Sequence, residues 1–541
     1  EDTIRANFPA PEPSAVGSTQ DWRRLRAALV AVLRDAAENG DTLLSTSEAV
    51  SSALNMGGAA PFEIGSNWPR TNDNLLKGVI SRIELIPDSQ SGKTIEGLQL
   101  SDIGERERYL GKIMKARSLA FQPSLGVDWK SLITESISTA EGRIDPDNPK
   151  HQEALREQEK ALETVTTRKL SVLTGKAGTG KTTVLGALFR SPLCAGGGIL
   201  LLAPTGKALV KLKKATGMEA LTVAQFLYQM DRYDGEHQLP RFSGAETYKG
   251  EKTVVVDECS MMTLDDFVAL FGALDLAHVT RIILVGDPSQ LPPIGAGRPF
   301  ADLVAYLEDE SNQKESGPAP REAIARLNVE VRTAGTEEEP SDTLRLASLF
   351  MNGSGPVDSD RALSDIEENK EFNDLEIRYW KDPDELHAQI LESFKRNLGI
   401  EDINDVDGFE RSLITFNDKG IDFGFSDKPE SWQILSPVRK HPYGVHDINR
   451  WLQLKYRHAE LDAADVPGGH KIGDESIVKK DKVIQLKNEY RNGYNYSTQQ
   501  QIEEYLANGE VGIIAYSKVR SIYDKKAKKK KNVVFYNVLF G

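Results

Sequence analysis

Ser171-Val172-Leu173-Thr174-Gly175-Lys176-Ala177-Gly178-Thr179-Gly180-Lys181-Thr182-Thr183 decides how this chain is read. Ser171-Val172-Leu173 is a short apolar run that predicts a buried strand, and Val184 to Phe189 continues as a helix. Between them the residues follow the phosphate-loop pattern G-x-x-x-x-G-K-T. The glycines permit a tight turn whose N–H groups converge on a polyphosphate, and the helix N-terminus adds partial positive charge. Lys181 is placed to reach the β and γ phosphates and Thr182 to ligate Mg2+. Gly175, Gly178, Thr179, Gly180, Lys181, Thr182 and Thr183 are the candidate nucleotide-binding residues.

Thr253 to Met262 (TVVVDECSMM) supplies the complementary half of such a site. A buried strand ends in Asp257-Glu258, where Asp257 can hold Mg2+ through water and Glu258 can orient or deprotonate an attacking water. Arg281 to Pro293 predicts a further strand, ending in Gly286-Asp287-Pro288-Ser289-Gln290, and Gln290 is the candidate γ-phosphate sensor. Gly198 to Ala203 is another apolar strand, which delivers Pro204, Thr205 and Lys207 ahead of a helix. That placement suits a nucleic-acid backbone, and equally an ordinary strand-to-helix turn. Thr222 opens the next helix and joins these candidates. Upstream, the helix His151 to Thr164 carries Gln158, whose amide can pair with an adenine edge or simply face solvent.

Taken in order, GKAGTGKTT, APTGKA, VVVDECSM and GDPSQLPPIGAGRPF resemble the RecD-like helicases of superfamily one. The resemblance covers about residues 150–541. It implies an α/β protein with two tandem RecA-like parallel sheets, a small β-barrel-like insertion, ATP and Mg2+ as cofactors, and movement 5′ to 3′ on single-stranded or tailed duplex DNA. DNA repair, recombination or phage defence are the processes it implies, with protein partners or a nuclease subunit as company. It also implies that Gln158 reads adenine and that Arg332 reaches the γ-phosphate from the second motor domain. Trp432 to Leu454 resembles the family's strand, Ser-Pro and basic pair, Gly and helix, which makes Ser436, Arg439, Lys440, Tyr443 and Asn449 candidate DNA contacts. Two later family motifs, Thr-x-His-x-x-Gln-Gly and Thr-Arg-Ala, do not occur before Gly541, so the family pattern is expected to continue beyond it.

The remainder bounds these expectations. A chain of 541 residues exceeds one ordinary core, and a net charge of −14 requires any nucleic-acid contact to be local. Lys525, Lys526, Lys528, Lys529, Lys530 and Lys531 form the obvious local cluster, expected at a hairpin tip or in a solvated loop. Two cysteines, Cys194 and Cys259, make no disulfide framework, and no membrane span or signal layout is present; a cytoplasmic setting is expected. The expected organisation is an arm at 1–20, a helical N-terminal domain at 21–144, a first motor domain at 150–320 with an insertion at 231–250, and a second at 321–541 with a β-rich insertion at about 470–541. Helices are expected at Asp21–Gly40, Thr42–Leu54 (with Thr46 or Ser47 as cap), Asn74–Ile83 and Glu105–Ala120. Together the first three suit either a helix-turn-helix or winged-helix module or a small packing domain. Residues 353–411 read as acidic and irregular and yield no chemistry. Besides a DNA helicase, the sequence admits an ATP-gated nucleic-acid-binding subunit without unwinding, and an RNA helicase.

Overall fold

The computed structural model describes residues 21–56, 65, 67–85, 95–139, 148–176, 178–192, 197–235, 237–244, 246–309, 320–329, 341–350, 359–368, 370–417, 420–421, 428–466, 471–472, 476–486, 489–495, 499–506, 508–524 and 529–540. The arm, Arg332, Lys525, Lys526, Lys528 and Cys194 lie outside them, as do the side chains of Lys529, Lys530 and Lys531. The described residues fall into two compact units, within Glu1–Pro204, Ala208–Glu339 and Phe350–Asn352 on one side and Thr205–Lys207, Pro340–Leu349 and Gly353–Gly541 on the other.

The first unit opens with α1 (Trp22–Glu38), β1 (Leu44–Ser45), α2 (Thr46–Asn55), β2 (Ile80–Leu85), β3 (Ile95–Leu100) and α3 (Ser101–Ser118). Asp21 caps α1, and Ser45, rather than Thr46 or Ser47, caps α2 in a reciprocal box with Glu48. The helix expected over Asn74–Ile83 is instead a short turn of helix, Asp73–Leu76, followed by β2. β-branched Ile80 and Ile83 pair with β3, and that pairing outweighs their weak helical spacing. A three-stranded antiparallel sheet in the order β1-β3-β2 thus backs the helices, so this region is not purely helical.

Next come α4 (Trp129–Thr139), α5 (Pro149–Thr166), β4 (Leu170–Gly175), α6 (Lys181–Phe189), β5 (Ile199–Ala203), α7 (Gly206–Thr216), β6 (Leu221–Thr222) and α8 (Val223–Gln229). The small hairpin of β7 (Tyr233–Asp234) and β8 (Leu239–Pro240) leads to β9 (Thr253–Val256), α9 (Leu264–Ala273), β10 (Arg281–Gly286), α10 (Pro299–Glu308) and β11 (Ile324–Leu327). Six strands form one parallel sheet in the order β11-β4-β10-β9-β5-β6. Every residue of β4, β5, β9 and β10 is buried, as expected of strands covered on both faces. β11, expected in the second half of the chain, completes the first sheet beside β4.

One continuous apolar core joins the N-terminal region to this sheet, from Leu25 and Leu29 through Leu110 and Met114 to Phe267, Leu270 and Ile282. The junction is also pinned by polar groups. Arg106 of α3 pairs with Asp265 of α9 at 2.9 Å. Arg117, nearly enclosed, donates to the carbonyls of Val279 at 2.7 Å, Leu276 at 2.8 Å and Lys169 at 3.3 Å.

The second unit contains α11 (Asp342–Ser348), α12 (Ser359–Glu367), α13 (Pro383–Leu398), α14 (Val406–Leu413), β12 (Phe416–Asn417), β13 (Gly420–Ile421), α15 (Val445–Tyr456), α16 (His458–Asp465) and β14 (Lys482–Ile484). β15 (Glu489–Asn495), β16 (Gln500–Leu506), β17 (Val511–Asp524) and β18 (Lys529–Phe540) follow. α12, α13 and α14 lie in the stretch that reads as irregular. The acidic composition there masks local signals, namely Asp382 capping α13 and Gly399 closing it at φ 66°. Among the described residues all strand pairs of this unit are antiparallel, and the second parallel sheet is not among them. β17 and β18 pair down to Asp524 and Lys529, so the backbone of Lys529, Lys530 and Lys531 lies at the end of a long two-stranded ribbon. The unit's core gathers Phe394, Phe409, Leu452 and Tyr456, with Phe409 stacked on Tyr456 at 4.1 Å. Among the described residues no helix is long and apolar enough to cross a membrane.

Arg117→Ala strips the donor from three carbonyls at the junction of the N-terminal region and the sheet. It should destabilise the protein by about 2–4 kcal/mol in equilibrium denaturation. A loss below about 0.5 kcal/mol would mean that the apolar contacts alone hold this junction.

Candidate functional site

Strand order builds the site. The chain leaves β4, passes over two strand positions to β5, and returns through β9 and then β10, which inserts beside β4. A parallel sheet binds ligands at the carboxyl ends of its strands where the winding changes direction. Thr174 lies opposite Gly286 and Val256 opposite Leu284, so the registers bring Gly175, Asp287 and Asp257 to one edge.

At that edge the phosphate loop turns through Gly178 at φ 86° and Gly180 at φ 89°, values that side chains resist. Gly175 is required for a second reason, since a Cβ there would lie 2.6 Å from the Thr179 hydroxyl and 2.9 Å from the Leu327 carbonyl. Thr179, itself buried, donates to the Lys176 carbonyl at 2.9 Å and closes the loop. Lys181, Thr182 and Thr183 form the first turn of α6, whose N–H groups open on the edge. Ser136 of α4 donates to the Thr183 carbonyl at 3.2 Å and holds that turn from behind. The Lys181 ammonium folds back onto the carbonyls of Gly175 and Lys176.

The acidic pair lies where the sequence predicts, but its backbone is unusual. Glu258 adopts φ 52°, a left-handed conformation that costs a non-glycine residue roughly 1–2 kcal/mol. This reverses the chain directly after β9 into the 3-10 turn Cys259–Met261 and keeps both carboxylates at the strand end. Asp257 accepts from the Glu258 N–H at 2.9 Å. Burial, reinforced by the charge of Glu258, pushes the Asp257 carboxyl up to about 6. Burial also pushes the Lys181 ammonium below the ordinary lysine value, against the opposing pull of Asp287, Glu258 and Asp257. Cys259 donates to the Val256 carbonyl at 3.1 Å, and burial raises its thiol well above the usual range, so it is a packing residue.

Gln290 accepts from Ser260 at 3.2 Å, which ties the loop after β10 to the turn after β9. Asp287 shares this edge, and the motifs alone do not single it out as a catalytic candidate; the available signal is its position at the end of a buried strand.

Other candidates are occupied differently from expectation. Gln158 is 2% exposed, with its amide nitrogen 3.5 Å from the Thr179 carbonyl. It braces the underside of the phosphate loop, and a carboxamide so enclosed does not meet a base edge in this conformation. Among the described residues its Oε1 has no hydrogen-bond partner. On the same helix, Glu157 accepts the N–H groups of Asn328 at 2.8 Å and Val329 at 2.9 Å. Thr222 is fully buried and caps α8 in a reciprocal box with Gln225, so its hydroxyl is not available to nucleic acid. Ser436 lies within hydrogen-bonding distance of the Val438 and Tyr443 carbonyls, at 3.1 and 3.0 Å, and acts inside its own loop. Pro204 and Thr205 follow β5 directly, and Lys207 pairs with Glu430 at 3.0 Å. Arg439, Lys440, Tyr443 and Asn449 are exposed.

Among the described residues no cluster of three His, Cys, Asp or Glu side chains is arranged to hold a metal. The donor set here is smaller, with the exposed Thr182 hydroxyl and the Asp257 carboxylate beside a phosphate cradle. It fits Mg2+, which keeps several waters and takes its remaining ligands from phosphate. A cation would also relieve Asp257, whose ionisation the neighbouring Glu258 charge opposes.

Residues 153–333 match the model of an AAA domain. The chain is 24% identical over 554 residues to an uncharacterized protein of Methanocaldococcus jannaschii, covering 95% of this chain and 44% of that one. It is 24% identical to the ATP-dependent RecD2 DNA helicase of Deinococcus radiodurans, over 88% of this chain and 54% of that protein. Its identity to the RecBCD enzyme subunit RecD of Mycolicibacterium smegmatis is 35%, over 28% of this chain and 30% of the subunit. The chain spans about half or less of the length of these relatives. The likeness to RecD-like helicases of superfamily one that the motif order carries is thus borne out.

The raised carboxyl of Asp257 has a pH signature. A folded pKa above the unfolded one stabilises the fold below about pH 4, and that contribution is lost as pH rises through about 6. At pH 8, Asp257→Asn should therefore raise the stability of ligand-free protein by about 1–3 kcal/mol while cancelling the extra stabilisation given by Mg2+ with ATP. Thermal unfolding across pH checks both; unchanged ligand-free stability at pH 8 would show that the carboxylate is not strained.

Proposed function

We propose that this chain carries the ATP-driven motor of a DNA helicase or translocase that moves 5′ to 3′ on single-stranded DNA. The observation behind it is the meeting of Lys181, Asp257, Glu258, Asp287 and Gln290 at one edge of a parallel sheet, beside a phosphate loop. One relative bears a name that speaks for DNA, an ATP-dependent RecD2 DNA helicase, and a second is named as a subunit of RecBCD enzyme. The second speaks for a protein partner. Polarity rests on resemblance alone, because no residue dictates it by chemistry.

In this reading the loop N–H groups and the start of α6 bind the phosphates, and the Lys181 ammonium leaves the Gly175 and Lys176 carbonyls to meet them. Thr182 and Asp257 would hold Mg2+, which when bound would supply positive charge to the transferring phosphate. Glu258 takes a proton from the attacking water, and Gln290 couples the state of the γ-phosphate to the loop beyond β10. Arg332 is the proposed second cation. Arg439, Lys440, Tyr443, Asn449 and the lysines at 525, 526 and 528–531 are the proposed DNA contacts.

Glu258→Gln should leave ATP binding intact and slow hydrolysis by roughly 10²–10⁴. If binding fell as steeply as turnover, Glu258 would be a binding group and not the base. On tailed duplexes, unwinding should require a 5′ single-stranded tail. DNA-stimulated hydrolysis without strand separation would favour an ATP-gated binding subunit, stimulation by RNA alone an RNA helicase, and a preference for 3′ tails the opposite polarity.

A further inference from the structure

Three aromatic rings from two distant parts of the sequence meet on the second unit. Trp380, in the segment before α13, lies 5.4 Å from Tyr443 between ring centroids, at 45°. Tyr443 in turn stacks on His441 at 5.3 Å and 8°. Trp380 and Tyr443 remain 39% and 37% exposed, and neighbouring Tyr379 and Leu435 are 69% and 87% exposed. A Trp that served only as packing would turn its ring inward, as Trp129 does at 4%.

The loop that presents two of these rings is built for rigidity. Val445 N–H donates to the Val438 carbonyl at 3.1 Å and His446 N–H to the Arg439 carbonyl at 3.2 Å, closing the loop on itself. Gly444 is forced, because a Cβ there would lie 2.7 Å from the Arg439 carbonyl oxygen. Ser436 fastens the interior of the loop. Arg439 and Lys440 are exposed on it, and among the described residues neither makes an ion pair. From Ser431 to His446 no Asp or Glu occurs, in a chain with 81 of them. Beside Trp380, Asp382 and Glu385 are spent on the start of α13, accepting the N–H groups of Glu385 at 2.9 Å and Lys381 at 2.8 Å.

We infer that Trp380, Tyr443 and His441 form a stacking platform for the bases of single-stranded DNA, with Arg439 and Lys440 taking the adjoining phosphates. Resting on the nucleic-acid reading above, this adds Trp380 and His441 to the contacts proposed there at Arg439, Lys440 and Tyr443 and gives the three rings one role. Every base offers a π face, so a platform of rings grips a strand irrespective of its sequence, as a moving protein requires. Bases in a duplex are already stacked and offer it nothing.

The test is equilibrium binding of a labelled oligothymidine to the full chain, with a blunt duplex alongside, over a range of salt. Trp380→Ala should weaken oligothymidine binding by about 5- to 150-fold. The salt slope should be unchanged, because stacking releases no counterions, and duplex binding should not move. Trp380→Phe should stay within about threefold of wild type, because the ring is kept. Joint replacement of Arg439 and Lys440 by Ala should reduce the log–log slope by about 0.7 for each phosphate no longer neutralised. Wild-type affinity in Trp380→Ala would overturn the platform alone, as would an equal loss in Trp380→Phe, which would mark Trp380 as packing. Failure of the unaltered chain to bind oligothymidine would overturn the nucleic-acid reading with it.

Discussion

A parallel sheet buried on both faces has one place left for chemistry, the carboxyl edge where its strands run out into loops. Here β4, β5, β9 and β10 are buried along their whole length, and the polar groups that face the site appear just past the last buried residue. Asp257 and Asp287 are such residues, and Gly175 stands beside them at the end of β4. The same burial that holds the sheet together desolvates this edge and raises the electrostatic stakes of each charge on it.

Lys181 and the carboxylates show the consequence. Burial disfavours the charge on Lys181 and on Asp257, and each is the other's partial remedy. The ammonium rests on two loop carbonyls, while Asp257 draws on the Glu258 N–H. Such a cluster is incompletely neutralised, and in the proposed function a polyphosphate with a divalent cation would supply the countercharges. The left-handed Glu258 fits this picture, since the backbone accepts a local cost to keep two carboxylates together at the strand end.

The N-terminal region is part of this architecture through shared core and through Arg117, whose guanidinium joins α3 to the loop between α9 and β10 and to the start of β4. Within α5, Glu157 and Gln158 face different neighbours: one accepts the N–H groups that follow β11, the other lies under the phosphate loop. A single rigid helix therefore touches both the nucleotide cradle and the exit of the sheet. The acidic balance of the chain matters elsewhere, because it leaves the acid-free stretch around Arg439 and Lys440 as a local exception on the second unit.

The phosphate loop, the acidic pair, the strands that bear them and their family likeness were all legible in the residues alone. Each of these is local: a run of apolar residues long enough to cross a sheet, then residue types that only one backbone turn accommodates. Which hydroxyls and amides are free was decided by packing. Thr222, Ser436 and Gln158 look like ligands in a motif, yet they are committed to a helix cap, a loop interior and the back of the phosphate loop. Packing also decided that Ile80–Leu85 is a strand, because its partner β3 comes later in the chain. Asp287 entered the site only when β10 was inserted beside β4, and Trp380 met Tyr443 only when two separate segments packed together. Hydrogen-bond competition, strand pairing and burial are settled between residues far apart in the chain, and a local pattern carries no record of the partner that wins.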